Sequence, residues 1–173
     1  SPADREAMWE GLLNGTLATI ATDEYTTPIA IKTLGHTLED TCGGHNGIET
    51  RVPIAYSEGV VKRGMSLQRF VEVTSTNAAK VLGLYPRKGV LAPGSDADIV
   101  MIDPRKHKKI SLADLHAASD YSIWEGWEIQ GYPVMTILRG KVIVENEKLT
   151  TGSTYGQFIP RKIDSEVLSR PIV

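Results

Sequence analysis

Apolar residues Ala7, Met8, Trp9, Leu12 and Leu13 recur at near-helical spacing behind Ser1-Pro2-Ala3-Asp4. That opening combines a serine N-cap, a proline at the first helical position and an acidic residue three beyond the cap, and Asn14-Gly15 supplies a stop, so a helix over residues 2–13 is predicted. The pattern then changes to Leu17-Ala18-Thr19-Ile20-Ala21-Thr22-Asp23, an apolar and β-branched run closed by one carboxylate. Such a run suits a strand buried on both faces, as in a parallel α/β sheet, and a short joint between helix and strand is ordinary there. Residues 24–47 keep neither period; Thr26-Thr27-Pro28, Gly35 and Cys42-Gly43-Gly44-His45-Asn46-Gly47 mark a long loop. Residues 48–52 read as a short extended stretch, and Pro53 as the opening of a helix with Ile54, Ala55, Val60 and Val61 inward. Ser66 caps a second helix and Thr76 a third that stops at Gly83. The three helices form a packed layer whose solvated face carries Glu58, Lys62 and Glu72.

From about residue 88 the chain turns β-rich. A strand over 98–102 meets an Asp103-Pro104 break, a small helix follows Ser111, and Val134–Leu138 with Lys141–Val144 make a hairpin around Arg139-Gly140. These strands are too few to close a sandwich alone, which points to missing partners. The tail from Thr151 carries Tyr155, Phe158, Ile159 and Ile163 without a strong period and is expected to be loose or docked on another subunit.

Composition narrows the classes. The 173 residues are 41% hydrophobic and carry 19 Lys and Arg against 21 Asp and Glu, so a net charge of -2 gives no field for nucleic acid or an anionic membrane. Arg105 to Lys109, with His107 inside, reads as a solvated loop. One cysteine, Cys42, excludes an intrachain disulfide, and no apolar run reaches membrane-span length; a cytoplasmic location is expected. The chain has no initiator methionine or signal peptide and opens on the threshold of a helix, as if cut from something longer.

Residue chemistry alone leaves several readings open. Asp23 sits where α/β folds place their chemistry, yet an isolated strand-end aspartate more often caps a loop. The loop glycines could let backbone groups approach a ligand, but the same composition suits a plain turn. No Lys-Ser or Lys-Thr pair follows them to make a phosphate cradle. Asp96 and Asp98 lack the glycine and distal glutamate of a calcium loop. His36, His45, His107 and His116 show no zinc-type spacing, and no Gly-X-Ser-X-Gly elbow occurs. Trp124-Glu125-Gly126-Trp127 fits either an aromatic cage or a buried turn with a hydrogen-bonded carboxylate.

The order of short segments is more specific than any one of them. Asn14-Gly15-Thr16, Ala21-Thr22-Asp23, Gly47-Ile48-Glu49-Thr50-Arg51, Ser57-Glu58-Gly59-Val60, Thr74-Ser75-Thr76-Asn77-Ala78-Ala79-Lys80, Gly83-Leu84-Tyr85-Pro86-Arg87-Lys88-Gly89, Gly94-Ser95-Asp96-Ala97-Asp98-Ile99-Val100 and Asp120-Tyr121-Ser122-Ile123-Trp124-Glu125-Gly126 follow one another. The series resembles the C-terminal portion of the hydantoinase and dihydropyrimidinase branch of the amidohydrolase superfamily. The resemblance implies an α/β fold: the end of a β/α (TIM-type) barrel plus the C-terminal share of a small β-sandwich. Residues 1–88 would hold the last barrel strand, its helices and the substrate loop, 89–150 part of the sandwich, and 151–173 a tail.

The implied activity is metal-dependent hydrolysis of a cyclic amide such as hydantoin or dihydropyrimidine. By the resemblance, Asp23 ends the eighth strand as a metal ligand and proton shuttle, and Gly43 binds the ring through its main chain. Two divalent ions, zinc by preference, belong to the complete enzyme. Their other ligands lie on earlier strands, and a β/α barrel needs roughly 250 residues. The expected partners are therefore a missing N-terminal barrel segment, a cyclic amide and further copies in a homo-oligomer, with the chain alone holding no metal and inactive. Two departures stand out: Glu24 replaces a histidine usual after the aspartate, and Cys42-Gly43-Gly44 replaces Pro-Asn-Gly. Rival readings are a non-catalytic scaffold that keeps the fold and an interaction module that folds alone.

Overall fold

A computed structural model describes residues 1–150 and 155–169. The first helix, α1 (Pro2–Asn14), starts on a complete capping box: Ser1 Oγ accepts from the Asp4 amide, the Asp4 carboxylate reaches back to the N-terminal ammonium, and Gly15 ends it at φ 98°. After the short α2 (Ile29–Lys32), α3 (Ile48–Ala55) runs on through a wide π-helical turn, Tyr56–Val61. A second composite helix comprises α4 (Leu67–Val71), a π turn at Glu72–Thr76 and α5 (Asn77–Val81). Ser66 caps α4 as expected, its hydroxyl accepting from the Arg69 amide at 3.0 Å.

Three expectations fail here for identifiable reasons. Residues 48–52 are helical, and Pro53 lies inside α3, because the start of that helix is capped from 24 residues upstream by Glu24. Thr76 caps nothing; its backbone is helical, and its hydroxyl donates to the Gly89 carbonyl at 2.6 Å, tying the helix end to the next loop. Glu58 is not solvated. Only 9% exposed, it pairs with Lys62 at 2.5 Å and Arg63 at 2.9 Å and accepts from the Trp127 indole at 3.3 Å.

The β-rich half is an antiparallel meander of β1 (Ile99–Lys109), β2 (Glu128–Leu138), β3 (Lys141–Glu145) and β4 (Lys148–Leu149), in sheet order β1-β2-β3-β4. Asp103-Pro104 does not end β1 but makes a register shift between Asp103 and His107, as a proline in a ladder must. The basic run is therefore the second half of this strand rather than a loop. Lys106 and Lys108 both pair with Glu147 and stand over the Tyr132 ring. Ser111 caps one 3-10 turn, Leu112–Asp114, and Glu125 accepts from the Leu112 amide at 2.6 Å, which makes the Trp124–Trp127 segment a tied-down turn rather than a cage.

Two apolar clusters join the halves. Leu12, Ala55, Tyr56, Met65, Phe70 and Val73 fill the helical layer; Ile54, Ile110 and Ile129 seal α3 to the sheet. At Gly131, φ 85°, a Cβ would lie 2.2 Å from the Tyr56 ring, so a glycine alone lets β2 close on the π turn. Ser57 Oγ accepts from the neighbouring Gln130 amide at 3.1 Å. Of the tail, residues 151–154 and 170–173 lie outside the described residues; Ser165–Ser169 is a short helix, α6, and Phe158 is 92% exposed.

Candidate active site

The segment from Leu17 to Asp23 forms neither helix nor strand and has no ladder partner among the described residues. The expected two-sided burial is therefore absent. Ala18, Ile20 and Thr22 are half-buried against the helices, whereas Leu17, Thr19, Ala21 and Asp23 face outward with the period of a strand. Among the described residues its backbone is held by hydrogen bonds with the helices. The Ile20 amide donates to the Val73 carbonyl at 2.9 Å, Asn77 Nδ2 donates to the Ala18 carbonyl, and Arg51 and Arg69 donate to the carbonyls of Ile20 and Leu17.

Asp23 ends this segment at φ 48°, in the left-handed region that aspartate tolerates better than most residues. It is exposed, and its carboxylate makes no hydrogen bond or ion pair among the described residues. The loop-capping role that competes with a chemical one belongs to its neighbour. Glu24 Oε2 accepts from the amides of Gly47 and Ile48, each at 2.6 Å, and so caps α3. The cap bends the chain after Asp23 across the start of α3 and leaves the aspartate without a partner among the described residues.

The same bend brings the glycine loop alongside. A Cβ on Gly47 would lie 3.2 Å from Thr22 Cγ2, and one on Gly44 would lie 2.6 Å from the Tyr25 carbonyl oxygen, so residues 22–25 run against residues 44–47. With φ 89° and that close contact, Gly44 is a position only glycine fills. Gly43 is the opposite case: it is exposed, and nothing lies within 4 Å of a Cβ placed there. Its surroundings are fixed by side chains that local pattern could not single out. Lys32 Nζ donates to the carbonyls of Cys42 at 2.9 Å and Gly44 at 2.6 Å, and the Tyr121 hydroxyl donates to the Gly44 carbonyl at 3.2 Å. The Asp120 carboxylate accepts from the Ile29 amide at 2.8 Å, anchoring the helix that carries Lys32. Asp120 and Tyr121 thus strap the loop, a role whose only sequence signal was their place in the ordered series.

A cleft of about 320 Å³ opens next to Thr22, His45 and Gly47, and neither Asp23 nor Gly43 lines it. Trp9, Leu12, Ile54 and Trp124 form apolar walls, Ala21, Thr22 and Gly47 lie near the end of the 17–23 segment, and Arg5, Arg51 and His45 are its charged or titratable members. Asn46 is 2% exposed, and its side-chain amide has no hydrogen-bond partner. Farther along α3, Glu49 Oε2 lies 2.9 Å from His116 Nδ1, and this hydrogen bond, with the carboxylate's charge, raises the imidazole pKa above its ordinary value. Among the described residues no group of three or more His, Cys, Asp or Glu comes together as a metal site. A lone Asp23 does not fit the two-ion set that the resemblance implies, and further donors would have to come from elsewhere.

Comparison with known proteins agrees with the ordered series. Residues 1–143 match the amidohydrolase family. The chain is 38% identical over 161 residues to a D-phenylhydantoinase of Escherichia coli, a match that covers 92% of this chain and 35% of that protein. A D-hydantoinase (dihydropyrimidinase) from Thermus sp. superposes with a TM-score of 0.87 at 37% identity, over 90% of this chain and 34% of that one. An L-hydantoinase (dihydropyrimidinase) from Arthrobacter aurescens gives 0.83 at 35% identity, over 89% and 34%. The chain therefore spans about a third of the length of the relatives it matches.

Proposed function

Because the chain belongs to the amidohydrolase family, we propose that it is the C-terminal portion of a hydantoinase-type enzyme that hydrolyses a cyclic amide. The observation that carries this reading is 38% identity to a D-phenylhydantoinase, sustained over 92% of the chain. Residues 1–88 are assigned to the end of a β/α barrel, 89–150 to part of a small sandwich and 151–173 to a tail. That the 17–23 segment has no ladder partner among the described residues supports the barrel assignment, since a run whose exposure alternates with the period of a strand ordinarily has one. The exposed Phe158 supports a tail that docks on another copy in a homo-oligomer. The single cysteine accords with a cytoplasmic location.

In this reading Gly43 recognises the ring and Asp23 handles the proton. A cyclic amide presents a carbonyl and an N–H side by side, and the N–H and carbonyl of one exposed residue, which belong to successive peptide groups, offer the complement. Asp23, whose carboxylate has no partner among the described residues, accepts a proton from the attacking water and returns it to the leaving ring nitrogen. Two divalent ions, zinc by resemblance, need donors beyond this chain's described residues, so the chain alone is inactive.

The test follows loss of ring absorbance from 5-phenylhydantoin and dihydrouracil in the presence of zinc. It uses the 173-residue chain alone and the chain assembled with the part of a D-hydantoinase that it does not match. The chain alone should open neither ring and the assembly at least one. Ring opening by the chain alone contradicts the incomplete site, and a folded assembly that opens neither ring contradicts the enzyme reading.

A further inference from the structure

We propose that Lys32, assisted by Tyr121, is the positioning residue that sets the Gly43 peptide for ring recognition. The inference rests on the reading of Gly43 as a ring-binding residue. Lys32 grips the carbonyls on both sides of Gly43, those of Cys42 and Gly44, and Tyr121 adds a second donor to Gly44. A trans peptide is planar, with its carbonyl and N–H pointing in opposite directions. The one cis bond among the described residues is Tyr85–Pro86, so both gripped peptides are trans. Turning the Cys42 carbonyl toward the ammonium therefore turns the Gly43 N–H away from it. The grip on Gly44 does the same to the His45 N–H. Neither N–H has a hydrogen-bond partner among the described residues, and Gly43 is exposed with nothing within 4 Å of where a Cβ would lie.

The arrangement leaves the Gly43 and His45 N–H groups unspent and turned away from the ammonium, where a ring carbonyl can take up either. An ammonium fits the clamp because it has three donors and no acceptor, so it can hold both carbonyls without competing for them. The clamp is itself anchored: Asp120 holds the first amide of α2, and the next residue, Tyr121, holds Gly44. Fixing a glycine is where such a device has most effect, since this residue loses the most conformational freedom on ordering and a loose one would lose it on binding each substrate.

A lysine that merely tacks down a loop predicts something different. Its loss would lower the fraction of folded protein, and with it the apparent kcat, while molecules that did fold would bind the ring as before. A positioning residue acts on ring binding in every folded molecule. The experiment measures KM and kcat for ring opening by the assembly carrying Lys32→Met, Lys32→Arg or Tyr121→Phe. Lys32→Met should raise KM about tenfold with kcat changed less than about twofold, as expected when two charge-assisted hydrogen bonds that act on ring binding only through the loop are lost. Lys32→Arg, whose guanidinium can still donate to both carbonyls, should recover most of that loss. Tyr121→Phe, which removes only a hydroxyl, should raise KM about threefold. If Lys32→Met does not fold, Tyr121→Phe decides the matter. Unchanged KM in the folded variants overturns the inference while the reading of function stands; an unsubstituted assembly that opens no ring overturns both.

Discussion

Removing the Glu24 carboxylate should loosen the start of α3 and lower the stability of the whole chain. One oxygen accepts two amides at 2.6 Å, from Gly47, which is buried, and Ile48, which is exposed. In Glu24→Ala water can replace the carboxylate at Ile48 but not readily at Gly47, so one buried donor is left unsatisfied. Loss of a helix N-cap costs about 0.5–2 kcal/mol, and the charge and burial here place the cost at the upper end, about 2 kcal/mol. For a chain of 173 residues that corresponds to a Tm lower by about 4–8 °C. Glu24→Gln keeps an acceptor oxygen without the charge and should lose about half as much. Urea unfolding followed by circular dichroism at pH 7 gives the free energies, and amide exchange at Ile48 to Arg51 reports the helix start. A Glu24→Ala chain within about 0.5 kcal/mol of the unsubstituted one, with exchange unchanged, would refute the capping argument.

Neighbouring glycines should answer oppositely to alanine. Gly44→Ala places a Cβ 2.6 Å from the Tyr25 backbone at φ 89° and should cost more than about 1 kcal/mol, whereas Gly43→Ala meets open space and should unfold with the original midpoint. Burial alone would raise the pKa of Glu58, but hydrogen bonds from Lys62 and Arg63 outweigh it and hold the carboxylate below its ordinary value. Its contribution is thus present above the unfolded value and lost as pH falls through the folded one. Glu58→Ala should cost about 2 kcal/mol at pH 7, discounted for a half-exposed Lys62, and the difference from the unsubstituted chain should shrink on acidification. His116 behaves in the reverse sense. Its raised pKa means that its bond to Glu49 stabilises below the ordinary histidine value and fades as pH rises through the folded one. Its NMR titration midpoint should lie above 6.5 and fall in Glu49→Gln; an unshifted midpoint in the unsubstituted chain would contradict this.

Features whose causes are local were legible in the sequence. Ser1 to Asp4 carries both halves of a capping box, Ser66 sits three residues before the amide it caps, and Arg139-Gly140 joins two β-branched runs. Features with distant causes were not. The start of α3 depends on Glu24, a contact across 24 residues, and no window around Ile48 contains it. Thr76 has the chemistry of a cap, but Gly89 takes its hydroxyl. Glu58 has a solvated pattern on its own helix and is buried by Trp127, 69 residues later. At the site, Asp23 was recognisable by its position at the end of an apolar run. What was not recognisable is that Glu24 would take up the capping role and leave Asp23 unpaired, or that a lysine in an unpatterned loop would hold both carbonyls flanking Gly43.

The most direct test of the account is the rate of ring opening by the assembled enzyme with Asp23→Asn. Asparagine matches aspartate in shape and tolerates φ 48°, so the substitution removes the charge and leaves the fold with a Tm unchanged to about 1 °C. If Asp23 is the group that moves the proton, ring opening should fall by about a thousandfold or more. A folded Asp23→Asn assembly that keeps more than about a tenth of the original rate would contradict the account.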